Sequence, residues 1–277
     1  MMNKLALDEL LTAALNEDIG FGDATSEAIF AEDHFSRGVL IAKEALVLAG
    51  GDVFSRTFAL LDGRVTVKFH VPEGTWIDAG TEFASLEGPT RALLTGERVA
   101  LNLLQRMSGI ATQTRQFVKA AGDNKAFIAD TRKTTPGLRM LEKYAVKVGG
   151  GRNHRFGLDS MVMIKDNHIK AAGGILPAVR ILRSRVSPYL KIEVEVESLA
   201  QLQEAIEARV DVIMLDNMSL DLIREAVLIV GGRILLEVSG NVTLDRVAKL
   251  ADAGVDIISS GALTHSVKAA DISMRLR

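Results

Sequence analysis

The stretch that decides the fold runs Ile192-Glu193-Val194-Glu195-Val196-Glu197-Ser198-Leu199-Ala200-Gln201-Leu202-Gln203-Glu204-Ala205-Ile206-Glu207-Ala208-Arg209-Val210-Asp211-Val212-Ile213-Met214-Leu215-Asp216. A β-branched run, Ile192–Val196, gives way to apolar residues at helical spacing from Leu199 to Ala208. A second apolar run, Val212–Asp216, follows. Ser198 is suited to the helix start, where a hydroxyl can accept one of the orphaned N–H groups of the first turn. Strand, helix, strand is the unit that joins parallel strands. The same rhythm extends outward. Ala126–Asp130, Met161–Lys165, Ile234–Val238 and Ile257–Ser260 read as further strands, and Leu220–Val230 and Leu244–Ala253 as helices headed by Ser219 and Thr243. Apolar strands alternating with helices argue for a parallel sheet covered by helices. Six such strands predict an α/β protein with an incomplete (β/α) barrel of about six or seven parallel strands; a doubly wound sheet is the competing topology.

The first part of the chain has a different texture. Leu5–Asn16 reads as an amphipathic helix, and Gly38–Leu48, Val65–Phe69 and Glu82–Leu86 as strands separated by turns at Asp62-Gly63, Pro72-Glu73-Gly74 and Ala79-Gly80. Mixed order and hairpin-like turns predict a small α+β domain over residues 1–110, closed by a connecting helix, Thr90–Ser108, that carries Arg91, Glu97, Arg98 and Arg106. Residues 111–277 form the barrel domain, with a C-terminal helix expected to pack back on the first domain.

Composition narrows the function. The 277 residues are 48% hydrophobic and 25% charged, an ordinary globular mix, and contain no cysteine. Disulfides, thiolate nucleophiles and Cys-ligated metals are excluded. A net charge of −2 does not suit a protein that coats nucleic acid or an anionic membrane. No apolar run reaches the ~18 residues of a spanning helix. The opening residues carry Asp8, Glu9, Glu17 and Asp18 and lack a signal-like apolar block, so a cytoplasmic location is expected.

Charge is concentrated where the strands end. Nine Lys/Arg face three acids between Arg132 and Lys170. The ends read Asp130-Thr131-Arg132-Lys133, Lys165-Asp166-Asn167-His168, Glu195-Val196-Glu197, Asp216-Asn217, Glu237-Val238-Ser239-Gly240 and Ser259-Ser260-Gly261. Chemistry in barrels sits at the C-terminal ends of strands. Arg132 offers a planar fork for carboxylate or phosphate and Lys133 a point charge. Gly149-Gly150-Gly151-Arg152-Asn153-His154-Arg155 combines backbone that can approach a ligand closely with two more candidate cations. Lys165 is the inward cation of its strand, whereas Asp166 and His168 read as residues that hold the loop. Glu195 and Asp216 end successive strands and suit ribose hydroxyls, a divalent metal or a developing positive centre. Ser239-Gly240 and Ser260-Gly261 follow the last strands, the usual phosphate grip of such barrels. With no Rossmann fingerprint, Walker motif or zinc-spaced histidine pair, a ribosyl-phosphate substrate with a second anionic substrate fits best.

Longer strings carry a resemblance. Asp130-Thr131-Arg132-Lys133-Thr134-Thr135-Pro136-Gly137-Leu138-Arg139, Glu142–Val146, Gly149–Gly157, Ile164–Ile169, Glu193–Ser198, Met214–Met218 and Gly261–Ser266, with Leu15–Ser26 and Glu97–Thr112, are similar to the decarboxylating quinolinate phosphoribosyltransferases. The resemblance runs almost end to end. Ser260, and Asn241 and Val242 after Gly240, depart from the common pattern without replacing a charge. It implies a small N-terminal α/β sandwich domain, an incomplete α/β barrel, and a homodimer with shared active sites. It implies transfer of phosphoribosyl from phosphoribosyl pyrophosphate to quinolinate with loss of CO₂, in NAD biosynthesis, with Mg²⁺ as cofactor. Arg98 (contributed from the partner subunit), Arg132, His154, Arg155 and Lys165 match the residues around the quinolinate carboxylates. Lys133, Glu195 and Asp216 match those facing phosphoribosyl pyrophosphate, with Glu195 and Asp216 toward the Mg²⁺. Ser239, Gly240, Gly261 and His265 match the 5′-phosphate and nearby loops. Lys133, Lys165, Glu195 and Asp216 are the expected catalytic residues. A nicotinate phosphoribosyltransferase, a sugar-phosphate lyase using Lys165 and a non-catalytic metabolite binder are the rivals.

Overall fold

The computed structural model of the chain describes residues 2–277, which divide into two compact units. Unit 1 takes the residues up to Arg115 with Thr135–Gly150 and Ser266–Arg277; unit 2 takes Gln116–Thr134 and Gly151–His265.

Unit 1 contains α1 (Lys4–Ile19), α2 (Ala24–Ile29), β1 (Phe35–Ala42), β2 (Leu46–Val47), α3 (Gly51–Leu61), β3 (Thr66–Phe69), β4 (Trp76–Ile77), β5 (Glu82–Pro89), most of α4 (Thr90–Ala121), α5 (Arg139–Val148) and β12 (Ile272–Leu276). Its four-stranded antiparallel sheet has the order β12-β1-β5-β3, and β2 pairs with β4. Alternation along β1 and β5 turns Leu40, Ala42, Ala84 and Leu86 into a core closed by Phe54 and Phe58 of α3 and Leu93 and Leu104 of α4. Burying a Phe or Leu side chain contributes roughly 1.5–3 kcal/mol, so this face holds the unit together. One expectation is corrected here. The C-terminal segment is a strand, β12, pairing antiparallel with β1 from Gly38↔Leu276 to Ala42↔Ile272, not a helix. Its buried positions, Ile272 and Met274, alternate with period 2, which suits a sheet edge. By spatial grouping, α5 and β12 fall with the first unit. Four elements of this unit, α2, α3, β4 and α5, were not legible from the pattern.

Unit 2 contains β6 (Phe127–Ala129), β7 (Val162–Ile164), α6 (Asp166–Ala172), α7 (Ile175–Arg185), β8 (Ile192–Val196), α8 (Leu199–Glu207), β9 (Val212–Asp216), α9 (Leu220–Val230), β10 (Leu235–Ser239), α10 (Leu244–Asp252), β11 (Ile257–Ser259) and α11 (Ala262–His265). The six expected strands form one parallel sheet in the order β6-β11-β10-β9-β8-β7. Among the described residues no ladder joins β6 to β7, so the sheet does not close; a single parallel bridge from Ala129 to Arg152 extends the β6 edge. Helices α8 to α10 bury one stripe each, including Leu202, Ile223 and Val247, against the strands. Ser198 and Ser219 cap their helices by accepting the Gln201 and Leu222 N–H. Thr243 makes no such bond, so its capping role is withdrawn.

Register then sets the site. Glu195, Met214, Glu237 and Ile257 lie side by side across β8 to β11, and Asp216 pairs with Ser239 one layer further along. With period 2, Glu193 and Glu195, Met214 and Asp216, and Glu237 and Ser239 share one face. Charged residues therefore point from the strand ends into a common space.

Candidate active site

That space is a cavity of about 750 Å³ in unit 2. The strand-end candidates all line it: Arg132 and Lys133 after β6, His154 and Arg155 before β7, Lys165 after it, Glu195 on β8, Asp216 on β9, Ser239 and Gly240 on and after β10, and Gly261 and His265 after β11. Arg98 does not; it lies on α4 within unit 1.

At the β6 end, buried Asp130 accepts hydrogen bonds from the His154 N–H at 2.9 Å and Asn153 Nδ2 at 2.5 Å. Two charge-assisted bonds thus tie the Asn-His-Arg segment to the strand. Sequence reasoning quoted Asp130 as a strand end without assigning it this task. Thr264 Oγ1 donates to the Lys133 carbonyl, and the Lys133 N–H donates to Thr131 Oγ1, which fixes the turn that carries the lysine.

Arg155 is held by donating Nη1 to the Met161 carbonyl at 3.0 Å and Nη2 to Met163 Sδ at 3.5 Å. Its buried Nε has no acceptor. Burial and the nearby positive charge of Arg132 push its pKa below the usual guanidinium range, and Glu193 opposes them. Two cations forced together in a desolvated site favour an anion between them.

Lys165 Nζ sits 2.7 Å from Glu195 Oε2. His168, read as a loop holder, does that: its Nδ1 accepts the Lys165 N–H at 3.0 Å. Asp216 has its pKa raised by burial and then by the negative charge of Glu195. Asn217, beside it, donates Nδ2 to Asp216 Oδ2 and accepts from Asn241 Nδ2. Gly240 has φ +84°, and a Cβ there would lie 2.3 Å from Asn217 Oδ1. A Cβ on Gly261 would meet Lys133 Cδ at 2.8 Å and His265 Cδ2 at 2.9 Å. Both loops need glycine to pack this closely on charged neighbours.

Below these residues lies a group that the sequence reading named in part, His154 as a site residue and Glu237 in a strand end, without joining them to Glu193. Glu193 and Glu237 are fully buried, and His154 Nε2 stands 3.1 Å from Glu193 Oε2 and 3.6 Å from Glu237 Oε2. His154 Nδ1 accepts the Arg155 N–H at 2.8 Å. His154 was expected among the cations around the substrate. With Nδ1 used as an acceptor, Nε2 is the nitrogen that faces the buried acids. The ring's two nitrogens serve the Arg155 N–H and the buried acids. The missed signal is the alternation of Glu193, Glu195 and Glu197, which places the first two on one face.

Sequence comparison agrees with this layout. Residues 23–108 match the N-terminal domain, and residues 110–275 the C-terminal domain, of quinolinate phosphoribosyl transferase. The chain belongs to the quinolinate phosphoribosyltransferase family. Among relatives of the family, a probable nicotinate-nucleotide pyrophosphorylase (carboxylating) of Bacillus subtilis strain 168 is 49% identical over 273 residues, covering 99% of this chain and 94% of that one. A mitochondrial quinolinate phosphoribosyltransferase (decarboxylating) of Nicotiana tabacum is 42% identical, covering 98% and 82%. The crystal structure of NadC from Streptococcus pyogenes superposes with a TM-score of 0.97 at 45% identity, covering 100% and 98%.

Proposed function

We infer that this member of the quinolinate phosphoribosyltransferase family transfers the phosphoribosyl group of phosphoribosyl pyrophosphate to quinolinate, releasing pyrophosphate and CO₂ and giving nicotinate mononucleotide. The observation that carries the substrate choice is Arg155, a half-buried cation in the cavity that feels the positive charge of Arg132 and whose buried Nε has no acceptor. A dianionic acid relieves that repulsion; a monoanion relieves only part of it.

The pyridine nitrogen of quinolinate needs no general base to attack ribose C1. Arg132, Arg155 and Lys165 hold the two carboxylates. Lys133 takes charge developing on the departing pyrophosphate. Glu195 and Asp216 face the positive charge that spreads over the ribose, and Ser239, Gly240, Gly261 and His265 surround the 5′-phosphate. Holding both substrates in register can itself supply up to roughly 7–11 kcal/mol. CO₂ departs next, leaving an electron pair on C2 beside the quaternised nitrogen.

The donor set fits Mg²⁺. Glu195 and Asp216 are hard oxygen donors whose mutual repulsion raises Asp216, and a cation between them relieves it. Bound there with the substrate's phosphates, the ion would neutralise pyrophosphate charge. Arg98, which does not line the cavity of its own unit 2, is the residue for which a homodimer with shared sites is proposed. No helix among the described residues is long and apolar enough to cross a membrane.

The test is quinolinate-dependent release of pyrophosphate and CO₂ with phosphoribosyl pyrophosphate and Mg²⁺. Turnover with quinolinate and very little with nicotinate is expected; comparable kcat/KM for the two acids overturns the assignment.

A further inference from the structure

His154, Glu193 and Glu237 place one ligand atom each within 4.8 Å of the others, a spacing that would suit a metal ion. The hydrogen bonding argues otherwise. A metal-bound histidine donates its second ring nitrogen to a neighbour, whereas His154 Nδ1 accepts from the Arg155 N–H. Its proton is on Nε2, where a metal would have to bind. What the cluster lacks is a proton. Glu193 and Glu237 are buried with few donors: His154 Nε2 stands 3.1 Å from Glu193 Oε2, and Ser259 is the hydrogen-bonding neighbour of Glu237. Two ionised carboxylates packed together in a dry interior repel each other, and a proton on one lets it donate to the other. Burial and the charge of Glu193, against the opposing His154, push the Glu237 carboxyl up to about 8. The neighbouring strands add no charge at this level: β9 presents Met214 and β11 presents Ile257 in register with Glu237. The charged and titratable groups facing Glu237 are therefore Glu193 from β8 and His154 from the segment before β7, with Arg155 next along that segment.

Only one of the two acids reaches the substrate space. Glu237 lines the cavity, together with His154 and Arg155, and Glu193 stands behind it. We propose that Glu237 is a further catalytic residue, the acid that protonates C2 of the pyridine ring after CO₂ has left. This rests on the quinolinate reading above. The C2–carboxylate bond breaks and its electron pair stays on C2. The Glu237 O–H bond then breaks, its proton forms the C2–H bond of the product, and Glu237 is left as a carboxylate. A proton from solvent restores the acid before the next turnover, so the cycle consumes one proton from water. The neutral form also suits binding, since an ionised carboxylate on the cavity floor would repel a dicarboxylate.

Glu237→Gln keeps the shape and removes the acid. Single-turnover release of pyrophosphate is expected within about tenfold of wild type, while formation of nicotinate mononucleotide slows about 10²–10³-fold and quinolinate KM changes less than about threefold. In wild type, product formation should fall as pH rises through about 8, with no matching fall in pyrophosphate release. Equal slowing of both steps, a large rise in KM with kcat retained, or product formation near the wild-type rate each overturns the proposal. If the variant does not fold, the wild-type profile decides: product formation that does not fall through this range overturns the proposal. A wild-type enzyme with no quinolinate-dependent pyrophosphate release would instead overturn the reading on which it rests.

Discussion

Replacing Arg155 with Met tests the charge logic of the site most directly. The side chain makes two bonds to the protein, to a carbonyl and to a thioether, and neither partner is charged. In the free enzyme it bears the costs of burial and of Arg132. Its removal should therefore leave the fold nearly untouched, with a melting temperature within about 2 °C of wild type, as for other changes of under ~1 kcal/mol. Substrate binding should suffer. Truncating one partner of a buried charge pair costs roughly 2–5 kcal/mol. Arg132 and Lys165 remain, so the lower half of that range applies, or about a 30–300-fold rise in the quinolinate Kd. Calorimetric titration of the purified enzyme with quinolinate measures this. Arg155→Lys should fall between, because it restores charge without the planar fork. A Kd within threefold of wild type would refute the argument. So would a loss of more than about 5 °C in the free enzyme, which would make Arg155 a structural residue.

Glu142 is fully buried and accepts from Arg106 Nε and Nη2 and the Thr135 N–H, so Glu142→Ala should cost about 3–5 kcal/mol and lower the melting temperature by roughly 6–15 °C; a shift under 2 °C by scanning fluorimetry counts against it. Asp216 should titrate above the ordinary carboxylate value of 3.8, and Glu195→Gln or added Mg²⁺ should move its carboxyl ¹³C midpoint down; no movement separates the two carboxylates. Stability from Glu237 is fully present below its unfolded pKa near 4.5 and is lost as pH rises through about 8, so wild type should melt lower at pH 9 than at pH 5 and Glu237→Gln should flatten that slope. Mixing the inactive variants Arg98→Ala and Lys165→Ala should restore activity toward about a quarter of wild type if sites are shared. No recovery with subunit exchange confirmed assigns Arg98 to its own barrel.

Much of the barrel was legible because its strands are apolar runs that stop at polar residues, a pattern that fixes both where a strand ends and where a ligand can sit. Glu195 and Asp216 were visible for that reason. Glu193 was not, because a carboxyl inside a strand reads as an interruption of the apolar run, and Glu237, though it stands in a quoted strand end, was given no role. The register, with Glu193 beside Val212 and Glu237 beside Met214, together with the period of 2 places both on the inward face. His154 was visible as a site residue, but its place between the Arg155 N–H and the two buried acids depends on contacts that local pattern does not show. β12 was expected as a helix since five residues carry too little periodicity to overrule the rhythm before them. Its partner, β1, lies far back in the chain, beyond the reach of local pattern.

The pairing of β12 with β1 also sets an order of events during synthesis. The whole of unit 2 leaves the ribosome between these two strands, so the unit begun first is the last to be finished. Until β12 arrives, β1 presents an unpaired row of backbone donors and acceptors beside buried Val39 and Leu40, the kind of edge that recruits other strands. A nascent chain stopped before Ile272 would expose that edge, even with unit 2 folded. The final strand thus acts as a seal, and its absence marks an unfinished chain for chaperones and proteases.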